Sequence, residues 1–155
     1  MVKGRRRKEK GERRREKGGG FLGMVNLKNM NIKNKKAMIN NFEDLEIWKE
    51  GMRISVKTYE ILKNCKDYGL KDQMQRAAVS IPSNIAEGFE RQTNKEFIQF
   101  LYIAKGSCGE LRTQFYLASK LKIIENENLA ILIYKLKQLS SMISTLIKIR
   151  KTNFK

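Results

Sequence analysis

The chain has 155 residues, of which 33 are Lys or Arg and 16 are Asp or Glu, so its formal net charge is +17. It contains no histidine, which excludes Ser-His and Cys-His nucleophile pairs, an imidazole general base, and metal sites that need histidine ligands. Its two cysteines, Cys65 and Cys108, are too few for a disulfide framework or a four-thiolate metal site. We therefore expect a reduced, cytoplasmic protein and assign it no cofactor.

The first 40 residues read as a basic tail. They carry 14 Lys or Arg against three Glu, a net charge of +11, and residues 1–20 use only six residue types. Such a segment cannot bury enough apolar surface to offset its ordering entropy, so we predict a disordered tail over residues 1–40. The tail is interpreted either as an arm that binds nucleic-acid phosphates or as the product of a misassigned start, with Met24 as an alternative initiator.

Residues 41–155 are predicted to form one domain that is still basic. They carry 19 Lys or Arg against 13 Asp or Glu, a net charge of +6. The longest apolar run, residues 129–134, is far too short to cross a bilayer, and residues 21–25 are too short for the hydrophobic region of a secretory signal. Anionic partners are therefore expected with or without the tail, and a membrane is not.

The predicted domain has helical periodicity throughout, with apolar residues every three or four positions and no strand-like alternation. Thr93 and Glu96 fit a capping box at the start of the third helix. Heptad spacing and short connections predict an all-α, left-handed, up-down-up-down antiparallel four-helix bundle. The four helices are predicted at about residues 43–64, 70–89, 94–121 and 126–150.

The first and fourth helices are apolar over a wider arc than one bundle core needs. In the first helix the main stripe is Leu45, Trp48, Met52, Ser55, Tyr59 and Leu62, and a second stripe is Ile47, Ile54 and Ile61. The fourth helix carries an additional stripe of Ile131, Tyr134, Met142 and Ile149. Because unmatched apolar surface on a folded protein normally marks an interface, the striping predicts a homo-oligomer.

Proline and glycine residues interrupt two of the predicted helices. Pro82 removes one backbone hydrogen bond from the second helix, and Ser80, Ser83 and Asn84 are the nearby polar residues expected to satisfy the freed carbonyl. In the third helix, Gly106 and Gly109 each cost about 1 kcal/mol relative to Ala, so we expect another helix to pack closely there.

The residues that could carry catalysis have simpler structural interpretations. The order Lys105-Gly106-Ser107 does not match a phosphate-binding loop, which needs a preceding strand and the order Gly-Lys-Ser/Thr. Glu87, Glu90 and Glu110 have no accompanying nucleophile or metal set, so we expect Glu87 or Glu110 to pair with one of the arginines at positions 76, 91 and 112. Cys108 occupies a heptad position and is expected in the core.

Basic residues along the predicted bundle are the candidates for binding RNA. Lys49, Arg53 and Lys57 are four residues apart on one strip of the first helix, with Glu46, Glu50 and Glu60 expected only at its margins. No aromatic residue interrupts that strip, which favours contacts to phosphates and RNA shape over base stacking. The full candidate set is Lys49, Arg53, Lys57, Arg76, Arg91, Lys105, Arg112, Lys120 and Lys122.

The second and third predicted helices carry a specific resemblance. The segments RAAVSIPSNIAEGFE at residues 76–90, FIQFLYIAKGS at 97–107 and FEDLEIW at 42–48 resemble the four-helix-bundle family of proteins encoded by intervening sequences in 23S rRNA genes. The resemblance spans about residues 42–151 and has no counterpart for the tail. It implies a small bacterial bundle that assembles as a homopentamer and has no known catalytic activity.

Three functions are compatible with these observations. The sequence favours a non-enzymatic pentamer that contacts structured RNA, with ribosomal RNA as the expected class. The first alternative, implied by a related branch of the family, is an accessory variability protein of a diversity-generating retroelement that binds a reverse transcriptase and nucleic acid. The second alternative is a purely structural oligomer.

Overall fold

The computed structural model describes residues 39–124 and 127–153. A single 3-10 turn, Phe42–Asp44, precedes four long helices, and no strand occurs in these two ranges. Residues 1–38 of the predicted disordered tail, with the alternative start at Met24, lie outside the described residues. The helices are α1 (Glu46–Ile61), α2 (Tyr68–Phe89), α3 (Asn94–Lys120) and α4 (Asn128–Asn153).

Local capping explains where the helices begin. The start of α1 falls later than predicted because Leu45 has an extended backbone, with a ψ of 121°, and its side chain is buried. The Asp67 side chain accepts a hydrogen bond from the Leu70 N–H at 3.0 Å, so α2 begins slightly earlier than predicted. The predicted capping box of Thr93 and Glu96 is confirmed, with both reciprocal bonds present.

The four helices form an antiparallel bundle in which each helix packs against two others. The adjacent pairs are α1 with α2, α2 with α3, α3 with α4, and α4 with α1. Asn94 at the start of α3 donates to the Arg150 carbonyl near the end of α4 at 3.2 Å, so these helices run in opposite directions. The predicted four-helix bundle is therefore confirmed. Because α1 and α3 are diagonal, their outer surfaces point away from each other.

The core follows the heptad positions of the sequence. In α1 the stripe of Ile47 and Ile54 is buried, whereas Met52 and Tyr59 of the predicted main stripe are exposed. Cys108 is fully buried as expected, and burial raises the pKa of its thiol to about 12. The largest fully buried side chains include Phe115, Ile54, Leu62, Met74, Ile81, Ile85, Leu101, Leu111, Leu136, Leu139 and Ile143.

Pro82 lies inside α2, and the carbonyl that it frees is satisfied from a different helix. The missing N–H would have bonded to the Ala78 carbonyl, which instead accepts the Ser55 hydroxyl of α1 at 2.7 Å. The expectation that Ser80, Ser83 or Asn84 would cover this carbonyl was wrong. The Asn84 amide donates to the Ser80 carbonyl, at 2.7 Å. Pro82 therefore makes α2 dependent on its packing against α1.

Candidate nucleic-acid interface

The structure divides the nine predicted RNA-binding residues into two groups. Five of them form ion pairs with a carboxylate three or four residues away in the sequence: Lys49 with Glu46, Arg53 with Glu50, Lys57 with Glu60, Arg76 with Asp72, and Arg91 with Glu87. The other four have no ion pair to any described residue, and all lie on α3 or directly after it: Lys105, Arg112, Lys120 and Lys122.

The α1 strip, defined as Lys49, Arg53 and Lys57, is charge-compensated. Its three ion pairs have N–O distances of 2.6 to 2.9 Å, so the glutamates are direct partners and do not lie at the margins as the sequence suggested. Burial raises the pKa of the Glu50 carboxyl, but hydrogen bonds from Arg53 and Lys135 outweigh it and hold that pKa below its usual value. The negative charge of Glu50 is therefore retained beside the strip.

The unpaired cations of α3 lie on one side of that helix. Lys105, Arg112 and Lys120 are separated by seven and eight residues, so they fall within an arc of about 80° and span about 22 Å. Tyr102 lies in the same arc, and its hydroxyl accepts a hydrogen bond from the Lys151 ammonium of α4 at 3.0 Å. This side of α3 therefore faces α4.

Three lysines of α4 that were not among the predicted residues extend the same surface. Lys137, Lys148 and Lys151 fall within about 60° on α4, on the side that Lys151 turns toward Tyr102. All three are exposed and have no ion pair to a described residue. We define the basic face as Lys105, Arg112, Lys120, Lys137, Lys148 and Lys151.

The net charge differs between the half of the domain that contains α1 and α2 and the half that contains α3 and α4. Residues 41–93 carry eight Lys or Arg and nine Asp or Glu, a net charge of −1. Residues 94–155 carry eleven Lys or Arg and four Asp or Glu, a net charge of +7. The excess positive charge of the domain thus lies in the half that contains α3 and α4. Counting the charged residues separately before and after the loop that precedes α3 would have identified this half from the sequence alone.

Two glycines leave part of the basic face without side chains. A Cβ added at Gly106 or Gly109 would meet nothing within 4 Å, so none of the described helices packs on either glycine, contrary to the close packing expected from the sequence. Gly88 differs, since a Cβ there would lie 2.5 Å from the Phe100 Cβ. Close packing therefore explains Gly88, whereas the bare backbone at Gly106 and Gly109 is open to a partner.

The side of the bundle that contains α1 carries exposed apolar residues beside the charge-compensated α1 strip. Met52, Val56 and Tyr59 are exposed along α1, and we call them the apolar ridge. Grooves run along both flanks of the ridge, one toward Ile131 of α4 and one toward Val79 of α2. The additional α4 stripe is also exposed, as the sequence predicted: Ile131, Tyr134, Met142 and Ile149.

The remaining candidates for chemistry have structural partners. Glu87 pairs with Arg91, and Glu110 accepts a hydrogen bond from the Gln114 amide at 3.2 Å. In residues 39–124 and 127–153, no group of three or more Cys, Asp or Glu is placed to hold a metal ion. None of the described helices is long and apolar enough to span a membrane.

Comparison with known proteins gives a family and a fold. A family model described as "23S rRNA-intervening sequence protein" matches residues 43–145. A solved structure of a protein of unknown function, from the S23 ribosomal protein family of Bacteroides thetaiotaomicron, aligns with a TM-score of 0.62 and 22% identity. The alignment covers 66% of this chain and 98% of that chain, and at this identity it shows the shared fold alone. No curated protein matches the chain.

Proposed function

The chain belongs to the family of 23S rRNA-intervening sequence proteins, and we propose that it is a non-enzymatic, self-associating bacterial protein that binds RNA in the cytoplasm through its basic face. The observation that carries this proposal is the set of six cations on α3 and α4 that have no ion pair to a described residue. The family description, which refers to ribosomal RNA, supports RNA as the polyanion.

Phosphate contacts are the chemistry that such a face offers. Lysine and arginine that are already paired with a carboxylate must break that pair to bind a phosphate, whereas the cations of the basic face need not. If all six neutralise a phosphate, log Kd should rise with log salt concentration with a slope of about 4 to 5. The α1 strip, with Arg76 and Arg91, contributes less to binding in this proposal because each residue is already paired.

Self-association is proposed to use the apolar ridge of α1 and the exposed stripe of α4, with a second copy of the chain as the partner. Both surfaces lie away from the outer side of α3, so assembly through them would leave that side accessible. The resemblance in the sequence implies five subunits, and a pentamer of residues 41–155 would carry a net charge of about +30, from +6 per chain. Such a field would attract RNA from solution.

Binding across a salt series tests the RNA proposal. The full chain should bind a structured RNA with the slope given above. The variant Lys105→Gln/Arg112→Gln/Lys120→Gln should reduce that slope by about 2 to 3, since three phosphate contacts are lost. A matched variant, Lys49→Gln/Arg53→Gln/Lys57→Gln, removes three cations from the α1 strip and should change the slope by less than 1. Equal slopes for the α3 variant and the unchanged chain would contradict the proposal.

Light scattering at micromolar concentration tests the self-association. Val56→Asp places a charge on the apolar ridge and should lower the oligomer mass, because the carboxylate would lose its hydration in the interface. Ile103→Asp, at an exposed position of α3, is the matched control and should leave the mass unchanged. A strictly monomeric unchanged chain would overturn this part of the proposal.

The retroelement alternative differs in its main partner, a reverse transcriptase. No contact in the structure favours it over RNA binding. Absence of RNA binding by the full chain at low salt would contradict the proposed function and favour this alternative.

A further inference from the structure

Tyr116 is an exposed aromatic residue within the basic face. It lies on α3 four residues after Arg112 and four before Lys120, so the three side chains are neighbours on the helix surface. Its side chain is 45% exposed and, among the described residues, has no hydrogen bond or ring contact. The ring therefore lies between two cations without an ion pair, and almost half of its surface stays open to solvent.

The other exposed tyrosines are placed differently. Tyr102 lies under the Lys151 ammonium, which is 5.1 Å from the ring centroid. The Tyr134 hydroxyl accepts a hydrogen bond from Gln138, and Tyr59 belongs to the apolar ridge. Within the basic face, Tyr116 therefore combines a ring that has no described contact with flanking cations that have no described ion pair. Tyr68, the remaining tyrosine, lies at the start of α2 outside that face.

The surface beside Tyr116 is open toward the helix N-terminus. Helical side chains lean in that direction, and Gly109 lies seven residues before Tyr116 on the same arc of α3. Because Gly106 and Gly109 have no side chain and open space around them, the α3 surface is low at these two positions, and the Thr113 hydroxyl donates to the Gly109 carbonyl beside it at 2.9 Å. A ribose and a phosphate can approach this low part of the α3 surface while a base lies against the Tyr116 ring.

We infer that the basic face binds single-stranded nucleic acid, with Tyr116 stacking on one unpaired base while Arg112 and Lys120 hold the adjoining phosphates. This inference rests on the proposed function and specifies its substrate. It also differs from the expectation of contacts to phosphates and shape alone, which was based on the α1 strip. Every base has a π-face, so the stacking is expected to tolerate any sequence.

The test compares three Tyr116 variants of the full chain on three probes. The probes are a 12-nucleotide unstructured RNA, the DNA of the same sequence, and the RNA duplex. Tyr116→Leu should weaken binding of both single strands by about 5- to 100-fold, the range expected for one lost base stack. It should change duplex binding less than twofold, and Tyr116→Phe should restore single-strand binding to within twofold. Tyr116→Ser should weaken the single strands at least as much as Tyr116→Leu.

Two controls separate this inference from the proposed function. Tyr68→Leu changes another exposed tyrosine outside the basic face and should leave all affinities within twofold. The salt slope should stay the same in Tyr116→Leu, because stacking releases no counterions. If Lys105→Gln/Arg112→Gln/Lys120→Gln lowers the slope while Tyr116→Leu has less than a twofold effect, the inference is wrong and the proposed function stands. If neither variant changes binding, both fail.

Discussion

Replacing Ser55 by alanine should destabilise the bundle through a carbonyl on a different helix. The Ser55 hydroxyl donates to the Ala78 oxygen at 2.7 Å, which is nearer than its second acceptor, the Gly51 carbonyl at 2.9 Å, and Pro82 has no N–H to replace it. Both Ser55 and Ala78 are buried. Without the Ser55 hydroxyl, water can therefore reach the Ala78 carbonyl only if the α1–α2 interface opens. Leaving a buried acceptor unsatisfied costs about 1–3 kcal/mol. We expect Ser55→Ala to lower the free energy of unfolding by that amount.

Ser55→Ala should lower the free energy of unfolding by less in a chain that also carries Pro82→Ala. The alanine introduced there supplies a backbone N–H that can bond to the Ala78 oxygen within the helix, so Ser55 is no longer the needed donor. We expect the cost of Ser55→Ala to fall by about 1 kcal/mol or more in the Pro82→Ala background, a coupling of the size seen for residues that share one network. Thr58→Val is the matched control. The Thr58 hydroxyl bonds to the Ile54 carbonyl of its own helix at 2.8 Å, so the effect of Thr58→Val should be the same in both backgrounds.

Urea unfolding followed by circular dichroism at 222 nm measures these differences. All variants must be compared at one protein concentration, because association shifts the apparent stability of an oligomer. Unchanged m-values would show that the unfolding reaction is the same in each variant. A loss below about 0.5 kcal/mol for Ser55→Ala, or an equal loss with and without Pro82, would refute the role assigned to this hydroxyl.

Four further predictions concern stability. Gly106→Ala and Gly109→Ala should each raise the free energy of unfolding by about 1 kcal/mol in urea titrations, since the added methyl meets open space. Gly88→Ala should lower it by about 1–3 kcal/mol, because its Cβ would clash with Phe100. Because burial raises the pKa of the Cys108 thiol from 9.0 to about 12, the thiol favours folding below pH 9 and this contribution declines as pH rises toward 12. Stability lost between pH 8 and pH 10 should therefore be greater in the unchanged chain than in Cys108→Ala. Lys122 has a φ of 54°, so Lys122→Gly should raise the melting temperature by removing left-handed strain.

The bundle was predictable because its signals are local. Heptad spacing and the capping box at Thr93 depend on residues a few positions apart, and both were confirmed. Which of the two apolar stripes of α1 is buried depends on residues that are distant in the sequence. Met52 and Tyr59 have the same helical spacing as buried residues, and only packing against α2 and α4 shows that they remain exposed. The partner of Pro82 was missed for the same reason, since Ser55 is 23 residues before Ala78.

The candidate site was only partly predictable. The sequence shows a glutamate three residues from each cation of the α1 strip, a spacing that allows ion pairs on a helix. Only the N–O distances in the structure show that all three pairs form. Lys105, Arg112 and Lys120 were included among the candidates without being distinguished from the rest. The lysines of α4 join them only through the register of α3 and α4, which the contact between Tyr102 and Lys151 reveals.

Lysine protection on RNA binding tests the central claim most directly. The full chain is labelled with an amine-reactive reagent with and without saturating RNA, and the modification of each lysine is measured by mass spectrometry. We predict that RNA reduces labelling of Lys105, Lys120, Lys137 and Lys148 at least threefold more than labelling of Lys49 and Lys57, in line with the difference in ion pairing. Protection of Lys49 and Lys57 with unchanged labelling of the α3 and α4 lysines would contradict the assignment of the basic face.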